Sequence, residues 1–194
     1  RSREDLFDLF ILPTAWGKTG WVWEQSEFRD WMDEKITLTQ ILIQRKQFQP
    51  DMSLQVTIPN EFQKIAPINI GYTAGIETDR ASTDWIAKCH QFADKVLVIS
   101  EHAKAGLQTP IKAQDQNGNE VDYVLEKPIE VVHYPIKKVE TKGLDLNIET
   151  KFNFLTMAQW GPRKNLPNTV AWFCQEFHDD EDVGLVVKTF AKGN

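Results

Sequence analysis

The segment QWGPRKN, residues 159–165, places two adjacent cations, Arg163 and Lys164, where an apolar strand pattern passes into a helical one. Ligands of parallel sheets bind at such strand ends, and a helix start there offers unpaired N–H groups and a favourable dipole. A guanidinium and an ammonium at this point suit a phosphate or diphosphate. The alternative is a solvated basic turn, in which Asn165 caps the helix and Pro167 occupies its first turn.

A second group of polar residues follows another predicted strand, in the segment GIETDRASTDW. It places Glu77, Asp79 and Arg80 at the same kind of strand end. Carboxylates there can hydrogen-bond sugar hydroxyls or act as a base. They are equally typical of a solvated loop that leads into a helix cap, and the residues alone leave both interpretations open.

The segment AWGKTGW contains Gly17, Lys18 and Thr19, the last three residues of a P-loop pattern. That pattern also needs a glycine at position 12, where this chain has Leu12, so the P-loop interpretation fails. A glycine-hinged loop can close over a substrate or simply turn the chain. The four histidines are scattered, without metal-ligand spacing, and the sequence predicts no metal site.

The composition is that of a soluble globular protein, with 194 residues, 41% hydrophobic and 26% charged. A net charge of −6 without a basic run argues against a nucleic-acid or anionic-membrane surface. Every apolar run is far shorter than the roughly 20 residues that span a bilayer. Cys89 and Cys174 fall in helical patterns and are interpreted as buried free thiols of a reducing compartment, so a cytoplasmic location is predicted.

Alternating strand and helix patterns predict an α/β fold with a mostly parallel, Rossmann-like sheet. Strand patterns occupy residues 6–13, 53–59, 67–75, 95–100, 128–136, 152–160 and 183–190. Helices are predicted after Ser82 or Thr83, after Ser100 and over 166–177, while ITLTQILI suits a helix or a strand. Asn117–Gly118 predicts a hairpin.

The charged stretch 137–151 has few large apolar residues and is interpreted as a linker. We therefore expect two domains, 1–140 and 141–194. The second would contain a single βαβ unit, which cannot cover both faces of a sheet. An incomplete sheet of this kind would expose an apolar edge and invite pairing with another copy, so a homo-oligomer is one expectation.

In this order the segments resemble the GT-B glycosyltransferases, specifically the retaining group called family four. Three segments carry the resemblance: YTAGIETDRASTDWIAKCHQFADKVLVISEHAKAGL, PIEVVHYPI, and the run from FNFLTMAQWGPRKN to VGLVVKT. Members have two facing Rossmann-like domains, the first holding the acceptor and the second a nucleotide-activated sugar. The resemblance implies a metal-independent transferase without a resident cofactor, with a nucleoside-diphosphate sugar as co-substrate and a carbohydrate or glycan as acceptor.

The resemblance also implies roles for particular residues. Lys164, with Arg163 and Gln159 beside it, would bind the donor diphosphate, and the Glu77–Asp79 loop and Gly17–Lys18 would lie on the acceptor side. Family members often carry an arginine where this chain has Ala158–Gln159, and a histidine where it has Pro59–Asn60.

The paired glutamates that mark the family's donor domain do not occur in this chain. We therefore expect an acceptor domain with the start of a donor domain, inactive as an enzyme by itself. Two alternatives stay open: a GT-B epimerase that acts on the sugar nucleotide, and a non-catalytic module that binds carbohydrate or nucleotide.

Overall fold

The computed structural model describes residues 3–13, 25–114, 117–136, 138, 140–141, 143 and 146–190. The chain divides into two compact units, Arg1–Ile136 and Lys137–Asn194. Each unit contains a parallel sheet, and we describe each by itself. The roles that the sequence suggested for the two predicted domains remain predictions.

The first unit contains three helices and six strands among its described residues. In chain order they are α1 (Glu27–Gln44), β1 (Met52–Val56), β2 (Ile68–Thr73), α2 (Thr83–Phe92), β3 (Lys95–Val98), α3 (Glu101–Gln108), β4 (Ile111–Gln114), β5 (Glu120–Tyr123) and β6 (Ile129–Val131). The second unit contributes β7 (Phe152–Gln159), α4 (Leu166–Glu176) and β8 (Val183–Phe190). Short 3₁₀ turns occupy Pro59–Glu61 and Pro162–Lys164.

Four strands of the first unit form one sheet in the order β1-β2-β3-β6, and every pairing in it is parallel. Because parallel neighbours need crossover connections, α2 joins β2 to β3, and α3 with the β4–β5 hairpin joins β3 to β6. The predicted α/β class is confirmed, and the sheet is consistent with a Rossmann-like fold. The hairpin predicted at Asn117–Gly118 is also confirmed, since β4 and β5 pair antiparallel and Gly118 has a φ of 81°.

Two serines start the helices that lead away from the sheet. The Oγ of Ser82 accepts the N–H of Trp85 at 3.3 Å, and the Oγ of Ser100 accepts the N–H of Ala103 at 3.1 Å. Each hydroxyl satisfies an N–H that has no partner within its helix. The structure selects Ser82 over Thr83 for the first helix and confirms Ser100 for the second. Ser100 comes directly after β3, whereas a loop separates Ser82 from the end of β2 at Thr73.

The core of the first unit lies on one face of the sheet, under α2 and α3. Val96 and Val98 of β3 are fully buried against Ile86, Cys89 and Leu107 of these helices. On the opposite face the apolar side chains of β1 and the start of β2 are between 49% and 57% exposed: Met52, Leu54, Val56 and Ile68. The described residues thus cover one face of this part of the sheet only.

Asn69 of β2 ties the sheet to the chain that precedes the strand. Its side chain is fully buried, and its Oδ1 accepts the N–H groups of Ile65 at 3.0 Å and Ala66 at 3.1 Å. Its Nδ2 donates to the carbonyl oxygen of Ala66 at 2.6 Å. The Asn69 side chain thereby supplies hydrogen-bond partners for the N–H groups of Ile65 and Ala66 and for the carbonyl of Ala66. Buried backbone groups need such partners when no neighbouring strand provides them.

The strand predicted over residues 6–13 is wrong. In the structure this segment pairs with no strand among the described residues, and it contacts α1 instead. The N–H of Ile11 donates to the Oγ1 of Thr39 at 3.1 Å. Glu4, which precedes the segment, accepts the indole N–H of Trp31 and pairs with Lys35. The segment is also largely exposed, with Leu6 at 58%, Phe7 at 53% and Leu12 at 47%, so its apolar run specifies neither a strand partner nor burial here.

The ambiguous segment ITLTQILI is helical, as part of α1. The hydroxyls of Thr37 and Thr39 donate to the carbonyl oxygens four residues earlier, of Asp33 and Lys35. These back-bonds satisfy the two threonine hydroxyls inside a helix that Ser26 caps at its start. The local pattern could not distinguish the two states, because β-branched residues are common in strands as well.

In the second unit, β7 pairs with β8 in parallel over their full lengths. The ring of Phe154 packs on Phe173 of α4 and on Phe177, the residue that follows the helix, with centroids 6.1 and 5.6 Å apart. Cys174 is free but exposed, so its predicted burial is wrong, whereas Cys89 is free and buried as predicted. The sheet of this unit has two described strands and gives α4 a narrow surface to pack on. Cys174, next to Phe173 in the helix, therefore lies outside the contact between α4 and the sheet.

Candidate functional site

The candidate anion site of the second unit lies at the carboxyl end of β7. The last pair of the parallel ladder joins Gln159 to Phe190, and the N–H of Trp160 then donates to the carbonyl of Phe190 at 3.0 Å. The chain turns away at Gly161 into the 3₁₀ turn Pro162–Lys164. The predicted basic segment therefore occupies the strand end at which ligands of parallel sheets bind.

The turn is closed by the backbone. The N–H of Lys164 donates to the carbonyl of Gly161 at 3.1 Å, and the N–H of Asn165 donates to that of Pro162 at 3.2 Å. Asn165 adopts the left-handed conformation, with a φ of 52°, which asparagine tolerates better than most residues. This conformation redirects the chain from the turn into α4.

The predicted cap by the Asn165 side chain is wrong. Its Oδ1 accepts the Nδ2 of Asn168 at 2.8 Å, and no cap bond to an N–H is found for it among the described residues. Its carbonyl instead accepts the N–H and the Oγ1 of Thr169, at 3.1 and 3.2 Å. The left-handed backbone points the side chain away from the N–H groups that a cap would satisfy.

Three predicted donor-side residues lie within this short stretch. Gln159, Arg163 and Lys164 are all exposed, around a helix start whose first N–H groups have no partner within the helix. Leu166, which is 1% exposed, anchors the first turn of α4 beneath them. An accessible guanidinium, an ammonium, an amide and a helix dipole can together hold a doubly charged anion without a metal.

The predicted acceptor-side loop follows β2 in the first unit. Gly75 has a φ of 93°, a conformation that favours glycine, and it turns the chain out of the strand. Ile76 then packs against Gly106 of α3, where an added Cβ would lie 2.9 Å from the Ile76 Cγ2. The N–H of Ala81 donates to the carbonyl of Gly106 at 2.9 Å. The loop is thus held on α3 at both ends.

Glu77 and Asp79 lie between these two anchors, and both are exposed. Asp79 pairs with Arg80 at 3.7 Å, while the Thr78 hydroxyl donates to the carbonyl of Arg80 at 2.7 Å. Both predicted carboxylates lie in the loop that follows β2, past its last residue, Thr73. Gly17 and Lys18, the other predicted acceptor-side residues, lie outside the described part of the chain.

The sequence analysis missed two polar positions at the same edge of the first sheet. Past β1, the Thr57 hydroxyl donates to the Glu61 carboxylate. Past β6, the exposed His133 ring lies against the carbonyl of Ile99, which follows β3. The sequence could have indicated both positions, because each of these residues comes within a few positions of an apolar strand pattern.

An aromatic pair holds the chain beyond β6. The hydroxyl of Tyr72 donates to the carbonyl of Val132 at 2.8 Å, and the Tyr134 ring meets the Tyr72 ring edge to face, with centroids 5.8 Å apart. Desolvation and, secondarily, Tyr134 raise the pKa of Tyr72. Tyr72 therefore stays a neutral donor at physiological pH.

Over the described residues, no group of three or more His, Cys, Asp or Glu side chains could hold a metal ion, and no helix is long and apolar enough to cross a membrane. Comparisons of the chain with protein-family models, with curated proteins and with solved structures matched none of them. A family assignment therefore depends on the resemblance of the three sequence segments. A functional assignment depends on the chemistry of the residues that follow β7 and β2.

Proposed function

We propose that this chain acts in glycosyl transfer, with a nucleoside-diphosphate sugar as donor and a hydroxyl compound as acceptor. In this proposal the second unit binds the donor diphosphate through Arg163 and Lys164, with Gln159 as a neutral contact. The first unit presents the acceptor side through the loop with Glu77 and Asp79. The GT-B architecture belongs to the same proposal.

The observation that carries the proposal is the position of the two cations. Arg163 and Lys164 lie in a closed turn between the carboxyl end of β7 and the start of α4, in a chain of net charge −6. The turn itself is closed by two backbone hydrogen bonds, from the N–H groups of Lys164 and Asn165. An anion bound at the strand end would lie next to both positive charges.

The same geometry suits the departure of a diphosphate. When a glycosyl bond breaks, negative charge develops on the leaving phosphate oxygen, and fixed cations stabilise it more in the transition state than in the ground state. Arg163 offers two parallel N–H donors, and Lys164 adds a point charge. The chain's own residues thus supply the electrostatic stabilisation that this reaction needs.

The donor-binding half can be tested by calorimetric titration of the full chain with UDP, ADP and GDP, which share the diphosphate and differ in the base. A charge-assisted phosphate contact is worth about 1.5–3 kcal/mol, so Lys164→Ala should weaken binding by about 10- to 150-fold. Lys164 is exposed and outside the core, so this variant should fold normally.

Lys151→Ala is the matched control. It removes the same charge from the same unit, but Lys151 precedes β7 and pairs with Asp182 at 2.6 Å, about 25 Å of strand away from the turn. Its diphosphate affinity should stay within about twofold of wild type, because charges at this distance are screened at physiological salt. The donor assignment is wrong if the wild-type chain binds none of the three diphosphates, or if both variants lose affinity equally.

A further inference from the structure

His90, a half-buried residue in the last turn of α2, accepts a hydrogen bond from the backbone. The N–H of Glu126 donates to its Nε2 at 3.0 Å, across 36 positions of the chain. A backbone N–H can only donate, so Nε2 must offer a free lone pair. The bond therefore requires a neutral ring whose proton lies on Nδ1.

This bond fixes the middle of the connection between β5 and β6. Before it, the N–H of the buried Leu125 donates to the carbonyl of Leu107 at 3.2 Å. After it, the carbonyl of Pro128 accepts the N–H of Val96 at 2.9 Å. Of these three bonds, only the one to the imidazole involves a group whose charge ordinarily changes between about pH 8 and pH 5.

The position of the imidazole is set by its helix and by a neighbouring ring. Cys89, the preceding residue, is fully buried in the core of the first unit. The imidazole itself meets the ring of Tyr123 in β5 edge to face, with centroids 5.9 Å apart. The imidazole is thus placed against the connection, and its charge state decides which hydrogen bond is possible there.

Each charge state of the ring has a different source of support. Protonation turns Nε2 from an acceptor into a donor, so that two N–H groups face each other and the bond from Glu126 is lost. The charged ring is favoured by the helix itself, because the C-terminal end of a helix attracts a cation and His90 lies in the last turn of α2. The connection and the helix end therefore favour opposite charge states.

The charged groups near the ring act in both directions. The connection carries Glu126, whose carboxylate attracts a protonated ring, and Lys127, whose ammonium repels it. Tyr123 brings a phenol, which has no charge at these pH values. α2 also packs against the 3₁₀ turn that contains Glu61. The other charged residues of α2 and its end are Asp84, Lys88 and Asp94.

We propose that His90 is a pH-sensitive latch on the connection between β5 and β6, closed while the ring is neutral and open when it is protonated. Acidification releases the middle of the connection, while the bonds on either side of it persist. The connection leads into β6, which is three residues long and lies at the end of the sheet order, so the latch acts on an edge strand. The latch needs no ligand and is independent of the proposed function.

The first test is nitrogen-15 NMR of the full chain at about pH 8 and about pH 5. His90→Gln identifies the ring signals among the four histidines. At the higher pH we expect a proton on Nδ1, a bare Nε2 and a scalar coupling across the N–H···N bond to the Glu126 amide nitrogen. At the lower pH we expect both ring nitrogens protonated and the coupling lost. A proton on Nε2 at the higher pH, or a coupling that survives at the lower pH, would overturn the proposal.

The second test is the solvent-exchange protection of the Glu126 amide, taken relative to its intrinsic exchange rate at each pH. One hydrogen bond accounts for about a 2- to 10-fold effect, so protection should fall by that factor on acidification. The amides of Leu125 and Val96, which donate to carbonyl groups, should keep their protection. The latch is refuted if Glu126 keeps its protection, or if all three amides lose protection together.

His90→Gln is also the matched variant for this test, because its side chain does not titrate and its amide oxygen can accept a hydrogen bond. Whether or not that oxygen reaches Glu126, the protection of the Glu126 amide should be the same at both pH values. His178→Gln changes an exposed histidine of the second unit and should leave the wild-type pH response intact. A pH response of wild-type size in His90→Gln would assign it to another group and overturn the proposal.

Discussion

Replacing Asn69 with alanine should strongly destabilise the first unit. The substitution leaves the buried N–H and carbonyl of Ala66 without partners, and it also removes the acceptor for the half-buried N–H of Ile65. An unsatisfied buried group costs about 1–3 kcal/mol. The two Ala66 groups together account for about 2–6 kcal/mol if water is assumed to reach the N–H of Ile65. This is a large part of the roughly 5–15 kcal/mol that stabilises a typical domain.

Urea unfolding followed by tryptophan fluorescence measures this loss. With a slope of about 2 kcal/mol per molar urea, the midpoint should fall by about 1–3 M while the slope stays constant. Asn60→Ala is the control, since Asn60 is exposed in the 3₁₀ turn and its loss should change stability by no more than about 0.5 kcal/mol. The reasoning is refuted if Asn69→Ala stays within about 1 kcal/mol of wild type.

Two further predictions concern titratable groups. The N–H of Asn69 and then the Lys64 ammonium lower the pKa of Asp94, so its contribution to stability is complete above about pH 4 and is lost as the pH falls through the lowered value. Urea midpoints of the wild type should therefore decline below about pH 4 more steeply than those of Asp94→Asn, and parallel curves would contradict this. Burial raises the pKa of Cys89 to about 12. Ellman's reagent should therefore label the exposed Cys174 in the native chain and react with Cys89 only after unfolding. Rapid labelling of the native Cys174→Ser variant would contradict the burial of Cys89.

The strand ends that form the candidate site were predictable because they depend on local pattern. The apolar runs before Gln159 and Gly75 predict strands, and polar residues directly after a parallel strand lie at its carboxyl edge by topology alone. This logic located Arg163 and Lys164 in the segment after β7, and Glu77 and Asp79 in the loop after β2, and the structure has all four in those segments. The binding roles of these residues remain proposals.

The same logic did not single out His133, since the sequence gives no sign that a ring nitrogen will meet a carbonyl 34 positions earlier. It also predicted that the Asn165 side chain caps α4. In the structure Asn165 has a left-handed backbone conformation and its side chain makes no cap hydrogen bond. Both outcomes depend on where the chain turns and which strands become neighbours, and neither can be inferred from a window of a few residues.

The sequence by itself determined the helix starts, at Ser82 or Thr83 and at Ser100, the Asn117–Gly118 hairpin and most strand positions. These features depend on hydrogen bonds between residues a few positions apart. Only the tertiary structure decided the order β1-β2-β3-β6, the buried hydrogen bonds of Asn69 and the failure of residues 6–13 to join a strand. It also decided that Cys89 is buried and Cys174 exposed, although both lie in apolar helical stripes. Burial and pairing depend on which distant surface packs against a segment, and that choice is made by the whole chain.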